Sequence, residues 1–261
     1  MNNFNNSNYY NGGYNTPAQT PPPMHGQQPY APAAQFEREM SLSGYISKVM
    51  SRVYLKMFGA LTVTALVAFF VSHSPALLSM FFGNQIVFWG LIIAELGIVI
   101  ALSAAINKLS SPVATALFYL YSVVNGITMA VIFLAYTGSS IALTFAVTGG
   151  VFLAMSIYGY TTKQDLTKFG TFMVMLLIGL IIASIVNIFV GSSTLEWIIS
   201  FAGVAVFVGL TAWDTQKIKN MAMMTDDRNV GKLATMGALS LYLDFVNLFL
   251  YLLRFFGSSR D

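Results

Sequence analysis

Cysteine is absent from the 261 residues, so disulfides and thiolate metal sites are excluded. Charge is scarce as well. Asp, Glu, Lys and Arg make up 9% of the chain, against about 25% in soluble domains. Histidine occurs twice, at His25 and His73, and both lie outside the apolar runs, so imidazole metal binding is not expected. The net charge of +3 is too small to suggest a nucleic-acid partner. The first residues lack a charged segment followed by an apolar one, and do not read as a signal peptide.

Hydrophobic residues take up the room that charge leaves, at 56% of the chain. They collect in runs at residues 57–72, 86–106, 113–136, 141–159, 169–190, 195–213 and 239–256. Most of these reach the roughly 17–25 residues a membrane-spanning helix needs. The first does so once Tyr54 and Leu55 are included. The sequence therefore predicts an all-α integral membrane protein built as a seven-transmembrane-helix bundle, with the lipid bilayer as its first partner.

Residues 1–44 are expected to form an Asn/Gln/Pro/Tyr-rich tail and lead-in, 45–257 the membrane domain, and 258–261 a short C-terminal tail. Six of the eight prolines fall before residue 36. Such a segment buries too little apolar surface to offset its ordering entropy, so residues 1 to about 36 are expected to be disordered.

The basic residues alternate along the chain. Arg38, Lys48, Arg52 and Lys56 precede the first run, and the segment 73–85 has no Lys or Arg. Lys108 follows the second run, Lys163 and Lys168 the fourth, and Lys217, Lys219, Arg228 and Lys232 the sixth. The connections at 137–140 and 191–196 carry none, and Arg254 and Arg260 stand at the far end. The positive-inside rule then places the N-terminus in the cytoplasm and the C-terminus outside. A bacterial inner membrane suits that pattern.

One span carries an anomaly. In LYLDFVNLFLYLLRFFG, residues 241–257, Asp244 falls where hydrocarbon is expected. A carboxylate there is costly unless it is paired, protonated or facing water. Ser240, Asp244, Asn247, Tyr251 and Arg254 follow at spacings of 4, 3, 4 and 3, which puts them on one helical face. The other faces are bulky and apolar, as in a helix surrounded by the rest of the bundle. The best partner for Asp244 is Asp214, in GLTAWDTQKIK at the close of the sixth run. If the last helix starts near Leu239, Asp244 lies ~8 Å inside it. A start nearer Lys232 puts it deeper, and meeting then requires tilt.

Two carboxylates in hydrogen-bond reach share a proton and titrate as one unit. That makes either a proton-controlled switch or a cation site, with Ca²⁺ the natural oxygen-binding ion. The structural alternative has Asp214 bonded to Lys217 or Lys219 and Asp244 to an Asn or Arg. Glu95, in the middle of the second run, either lines an ion path or bonds Asn125 or Asn187. Those two asparagines read as interhelical glue, and Glu196 as a solvated helix-start residue. Gly126, Gly149, Gly150, Gly179, Gly203 and Gly209 suit close helix approach.

LYLDFVNLFLYLLRFFG resembles the ending of the Bax inhibitor-1 family, the transmembrane Bax inhibitor motif proteins. TAWDTQKIK, AELGIVIALS, YSVVNGITMAVIFLAYTGSSIALTF, YGYTTKQDLTKFG and NIFVGSS resemble the same family, in the right order from Tyr45 to Gly257. The resemblance implies a seven-helix bundle with the last helix central. It implies an aspartate on each of the last two helices, here Asp214 and Asp244, sensing pH over a Ca²⁺ leak pathway. In some members an arginine near the cytoplasmic end of the second helix latches that pair. The matching segment here reads AAINKLS, with Lys108 as its cation. Bacterial relatives are also linked to modulation of a membrane-bound AAA protease, which gives a non-conducting alternative.

An intramembrane aspartyl protease also uses paired aspartates, but its Gly-x-Gly-Asp signature is replaced here by Leu241-Tyr242-Leu243-Asp244. No enzyme and no cofactor is expected; Ca²⁺ enters as a transported ion.

Overall fold

The computed structural model describes residues 32–106 and 108–258. Most of the tail expected to be disordered, His25, Arg260 and the last three residues of the C-terminal tail lie outside that set. The chain divides into two compact units, Met1–Ser41 and Leu42–Asp261. The larger unit carries everything below.

Among the described residues eight helices follow one another: α1 (Pro32–Ser72), α2 (Pro75–Phe82), α3 (Gln85–Ala105), α4 (Ser111–Ala135), α5 (Gly138–Thr161), α6 (Thr167–Val190), α7 (Ser193–Met223) and α8 (Val230–Phe256). All but α2 are long and apolar enough to cross a membrane, which gives the seven expected spans. Their ends are marked by ordinary capping chemistry. Thr137 and Ser192 accept from the backbone N–H three residues on, opening α5 and α7. Gly191 closes α6 with φ +64°, a left-handed conformation that favours glycine. The segment 73–85, expected only as a connection, holds α2. Ser74 caps it by accepting from Leu77 N, and Pro75 sits at its first position, where a missing N–H costs nothing.

The last helix is the centre of the bundle. Of the most apolar stretch of each helix, 61% is buried in α8 and 50% in α7, but only 6% in α3 and 11% in α6. α8 packs on α7, α5 and α4, while α6 packs on α7 and α3 on α4. Apolar burial of this kind, with few charges on the outer faces, is what a bilayer requires of a bundle.

Two boundaries differ from the sequence reading. α7 continues to Met223 and α8 already begins at Val230, so both overrun their apolar runs at the basic end. Asp214 and Asp244 therefore lie well inside regular helix rather than near its ends. α1 also starts at Pro32, inside the segment assigned to the tail.

Half of the glycines singled out for close approach do that work. A Cβ on Gly126 would lie 2.8 Å from Val67 Cβ, one on Gly203 2.6 Å from the Tyr251 ring, and one on Gly209 2.9 Å from Met173 Sδ. Gly149, Gly150 and Gly179 have nothing within 4 Å, so the expectation of close packing at those three is corrected. Glycine frequency alone does not say which face of a helix a residue occupies.

Candidate functional site

The polar stripe of α8 faces α7 along most of its length. At the end away from the lysines, Arg254 Nη1 lies 3.1 Å from Glu196 Oε1 and 3.4 Å from Ser200 Oγ. Glu196 is thus half of an ion pair as well as a first-turn residue of α7. One turn further in, the Tyr251 ring covers Gly203 and stacks on Phe207 with centroids 5.9 Å apart. At the basic end, a Cβ on Gly237 would meet Ile218 at 3.1 Å. These contacts define an antiparallel register, and it sets Asp244 of α8 against Asp214 of α7.

Asp244 is 4% exposed, and its Oδ2 has no hydrogen-bond partner among the described residues. The two carboxylates act on each other electrostatically, and Lys217 acts on both. Asp214 lines a cavity of about 440 Å³ toward the basic end, together with Lys217, Thr225, Asn229, Lys232 and Ser240. The Lys217 ammonium sits 4.6 Å over the Trp213 ring.

The other groups offered as partners for the pair are engaged elsewhere. Lys219 donates to Tyr160 O at 2.7 Å, Arg254 pairs with Glu196, and the Asn247 amide donates to Leu243 O at 2.8 Å on its own helix. Lys108 is exposed in the turn between α3 and α4. Lys217 stands one turn from Asp214 on the same helix.

Glu95 belongs to a second polar cluster. It accepts from Thr128 Oγ1 at 2.6 Å. Asn125 Oδ1 accepts from Tyr242 OH at 2.9 Å, and Tyr242 OH lies 2.6 Å from Thr64 Oγ1. Tyr242 of α8 is thus tied to Thr64 of α1 and Asn125 of α4, and Thr128, which also bonds Asn125 O, holds Glu95 of α3. Asn187 stays local instead, accepting from Ser192 N at 3.1 Å across the α6–α7 turn.

Lys56 is the residue that sequence reasoning passed over. It was counted as a flanking charge, but its Nζ donates to Thr115 Oγ1 and Thr235 Oγ1, each at 2.7 Å, joining α1 to α4 and α8. Both threonine hydroxyls donate to their own i−4 carbonyls, so their lone pairs are free for the ammonium. Nothing in the spacing of these residues signals the contact.

Chemically, the α7–α8 seam offers one carboxylate, Asp214, in the lining of a polar cavity and a second, Asp244, buried. Among the described residues no group of three or more His, Cys, Asp or Glu side chains gathers to hold a metal. Ca²⁺ takes 6–8 oxygens, so water or carbonyls would have to complete any coordination at the pair.

Comparison with known proteins places the chain. Residues 46–261 match the family described as "Inhibitor of apoptosis-promoting Bax1". Inner membrane protein YbhL of Escherichia coli K12 is 52% identical over 214 residues, covering 81% of this chain and 92% of its own. A protein of Borreliella burgdorferi is 46% identical over 217 residues, covering 82% and 94%. A membrane protein of Streptococcus pyogenes is 35% identical over 225 residues, covering 85% and 96%. The chain belongs to the Bax inhibitor-1 family of integral membrane proteins.

Proposed function

We propose that the protein is a pH-sensitive leak pathway for Ca²⁺ or a similar cation, gated by Asp214 and Asp244, with its basic end in the cytoplasm of a bacterial inner membrane. The observation that carries this is the Asp244 carboxylate, 4% exposed, with one oxygen unpartnered and a second carboxylate acting on it. A structural ion pair would have a cation bonded there. A site for an exchangeable proton or cation leaves that oxygen available. Protons and divalent cations compete for such a pair, because protonation removes the charge that attracts the metal. Lys217 adds positive charge at the same place, which opposes a bound cation. Ca²⁺ efflux from proteoliposomes tests the function. A rate above that of empty vesicles and dependent on pH is expected; a rate equal to empty vesicles at every pH overturns it.

A second reading is a non-conducting protein that modulates a membrane-bound AAA protease. Its support is α1, which extends from Pro32, well ahead of the first apolar run, with Glu37 and Glu39 exposed. Co-purification with such a protease, lost on deleting residues 1–44, is the expected result; intact binding by the truncated chain contradicts it.

A further inference from the structure

Helix α5 is polar on the side it buries. Its buried residues are Ser140, Thr144, Thr148, Phe152, Ser156 and Gly159. The first five recur at every fourth position, so four hydroxyls and one phenyl ring run in a single row that winds about 160° around the helix from Ser140 to Ser156. That row meets α7 and α8, the two helices that carry the aspartates.

Hydroxyls on membrane helices commonly bond back to their own backbone. Thr148 does so, with Oγ1 donating to Thr144 O at 2.7 Å. Thr144 does not. Its Oγ1 is fully buried and has no hydrogen-bond partner among the described residues. A buried hydroxyl left unpaired is costly, and water or the water shell of an ion would satisfy it. Nearer the basic end, Ser156 Oγ accepts from Thr215 Oγ1 at 3.5 Å, and Thr215 follows Asp214 in the chain. Phe152 meets Phe245 edge to face with centroids 5.5 Å apart, and Phe245 follows Asp244. The row therefore reaches the neighbours of both carboxylates and is crossed there by a pair of aromatic rings. At its far end Ser140 Oγ accepts from Ser258 N at 3.0 Å, which closes it.

The row has an opening at the basic end. A cavity of about 390 Å³ between α1 and α5 is lined by Ser47, Ser51, Tyr54, Ser156, Tyr160 and Thr161 among others, and no lining residue is charged. The cavity at Asp214 includes Lys217 and Lys232. Ser156 belongs both to the row and to the α1–α5 cleft, so the row opens there; Lys219, held on Tyr160 O, borders that cleft as Lys217 and Lys232 border Asp214.

We propose that the hydroxyl row of α5 lines the path of a small hydrated cation past Asp214 and Asp244, with the α1–α5 cleft as its mouth and the Phe152–Phe245 contact as its hydrophobic constriction. This rests on the cation-leak reading above. Constrictions of apolar rings close a path by excluding water, and shortening one ring lets water in.

Because the chain lacks cysteine, single substitutions report access without background. Thr144→Cys, Thr148→Cys and Ser156→Cys, reconstituted in vesicles, are treated with a positively charged methanethiosulfonate. Leu143→Cys, at an exposed position of α5 outside the cleft, is the lipid-facing control. Ser156→Cys is expected to react. Thr144→Cys and Thr148→Cys are expected to react about tenfold faster once Phe152→Ala is added, with a parallel rise in Ca²⁺ efflux. Phe245→Leu serves as the second opening variant where Phe152→Ala fails to fold. If neither threonine position reacts faster than Leu143→Cys in any background, the path is overturned, even where the wild type conducts. Labelling without Ca²⁺ efflux in any background overturns the cation claim together with the reading beneath it.

Discussion

Tyr242 donates its phenolic hydrogen to Asn125 Oδ1 over 2.9 Å, from a position two residues before Asp244. At about 100° per residue these two side chains leave α8 on nearly opposite sides. One side of the central helix is thus bonded to α1 and α4 through Thr64 and Asn125, and the other presents a carboxylate with one unpartnered oxygen. The first holds the helix in place. The second is free to change its charge.

Tyr242→Phe removes the hydroxyl but keeps the ring against Phe118 and Tyr121. It leaves Asn125 Oδ1 buried without its donor, and the expected loss is about 1–3 kcal/mol. Thermal or denaturant unfolding in detergent measures it. A double-mutant cycle with Asn125→Ala should show strong coupling; additive effects would contradict the network.

Lys56→Met deletes two charge-assisted hydrogen bonds but leaves Thr115 and Thr235 satisfied by their own helices. A loss of about 2–3 kcal/mol is expected. Lys56→Arg, with its different donor geometry, should recover only part of it. Unfolding midpoints of the three proteins decide the matter, and a wild-type midpoint for Lys56→Met would refute the clip.

Gly159 and Gly150 make a matched pair on α5. A Cβ on Gly159 would overlap the backbone of Ala212, which cannot give way as a side chain does. Gly150 has nothing within 4 Å. Gly159→Ala is expected to cost upwards of about 3 kcal/mol or to block folding, and Gly150→Ala to change stability little. Yield of monodisperse protein and its melting temperature compare them.

The Arg254–Glu196 pair is 3.1 Å long, but its side chains are 45% and 55% exposed. Glu196→Gln should therefore cost less than about 1 kcal/mol, and less still in high salt. Unfolding at two ionic strengths checks both statements.

The bundle was legible in the sequence because its signals are local and repeated. Each span is a long apolar run, and alternate connections carry the lysines, so seven crossings and their count reinforce one another. The stripe from Ser240 to Arg254 was legible for the same reason, since helical spacing alone puts those residues on one face. What the stripe faces was not. That depends on the antiparallel register of α7 and α8, fixed by contacts such as Gly203 with Tyr251 and Gly237 with Ile218, which no single helix encodes. Lys56 and the α5 hydroxyls were missed because their meaning is also tertiary. A lysine before an apolar run reads as a flank, and scattered Ser and Thr read as tolerated polar residues. Only the packing shows that α5 buries those hydroxyls, while Gly149, Gly150 and Gly179, which looked like packing sites, face open space.

The central claim is that Asp214 and Asp244 act together as the proton-sensitive element of a cation pathway. Ca²⁺ efflux from proteoliposomes, followed through a pH series on both sides of neutrality for wild type, Asp214→Asn and Asp244→Asn, tests it most directly. The account predicts a pH-dependent wild-type rate and, in both variants, an altered rate with the pH dependence reduced or shifted in the same sense. Variants that keep the wild-type rate and the wild-type pH profile would contradict it.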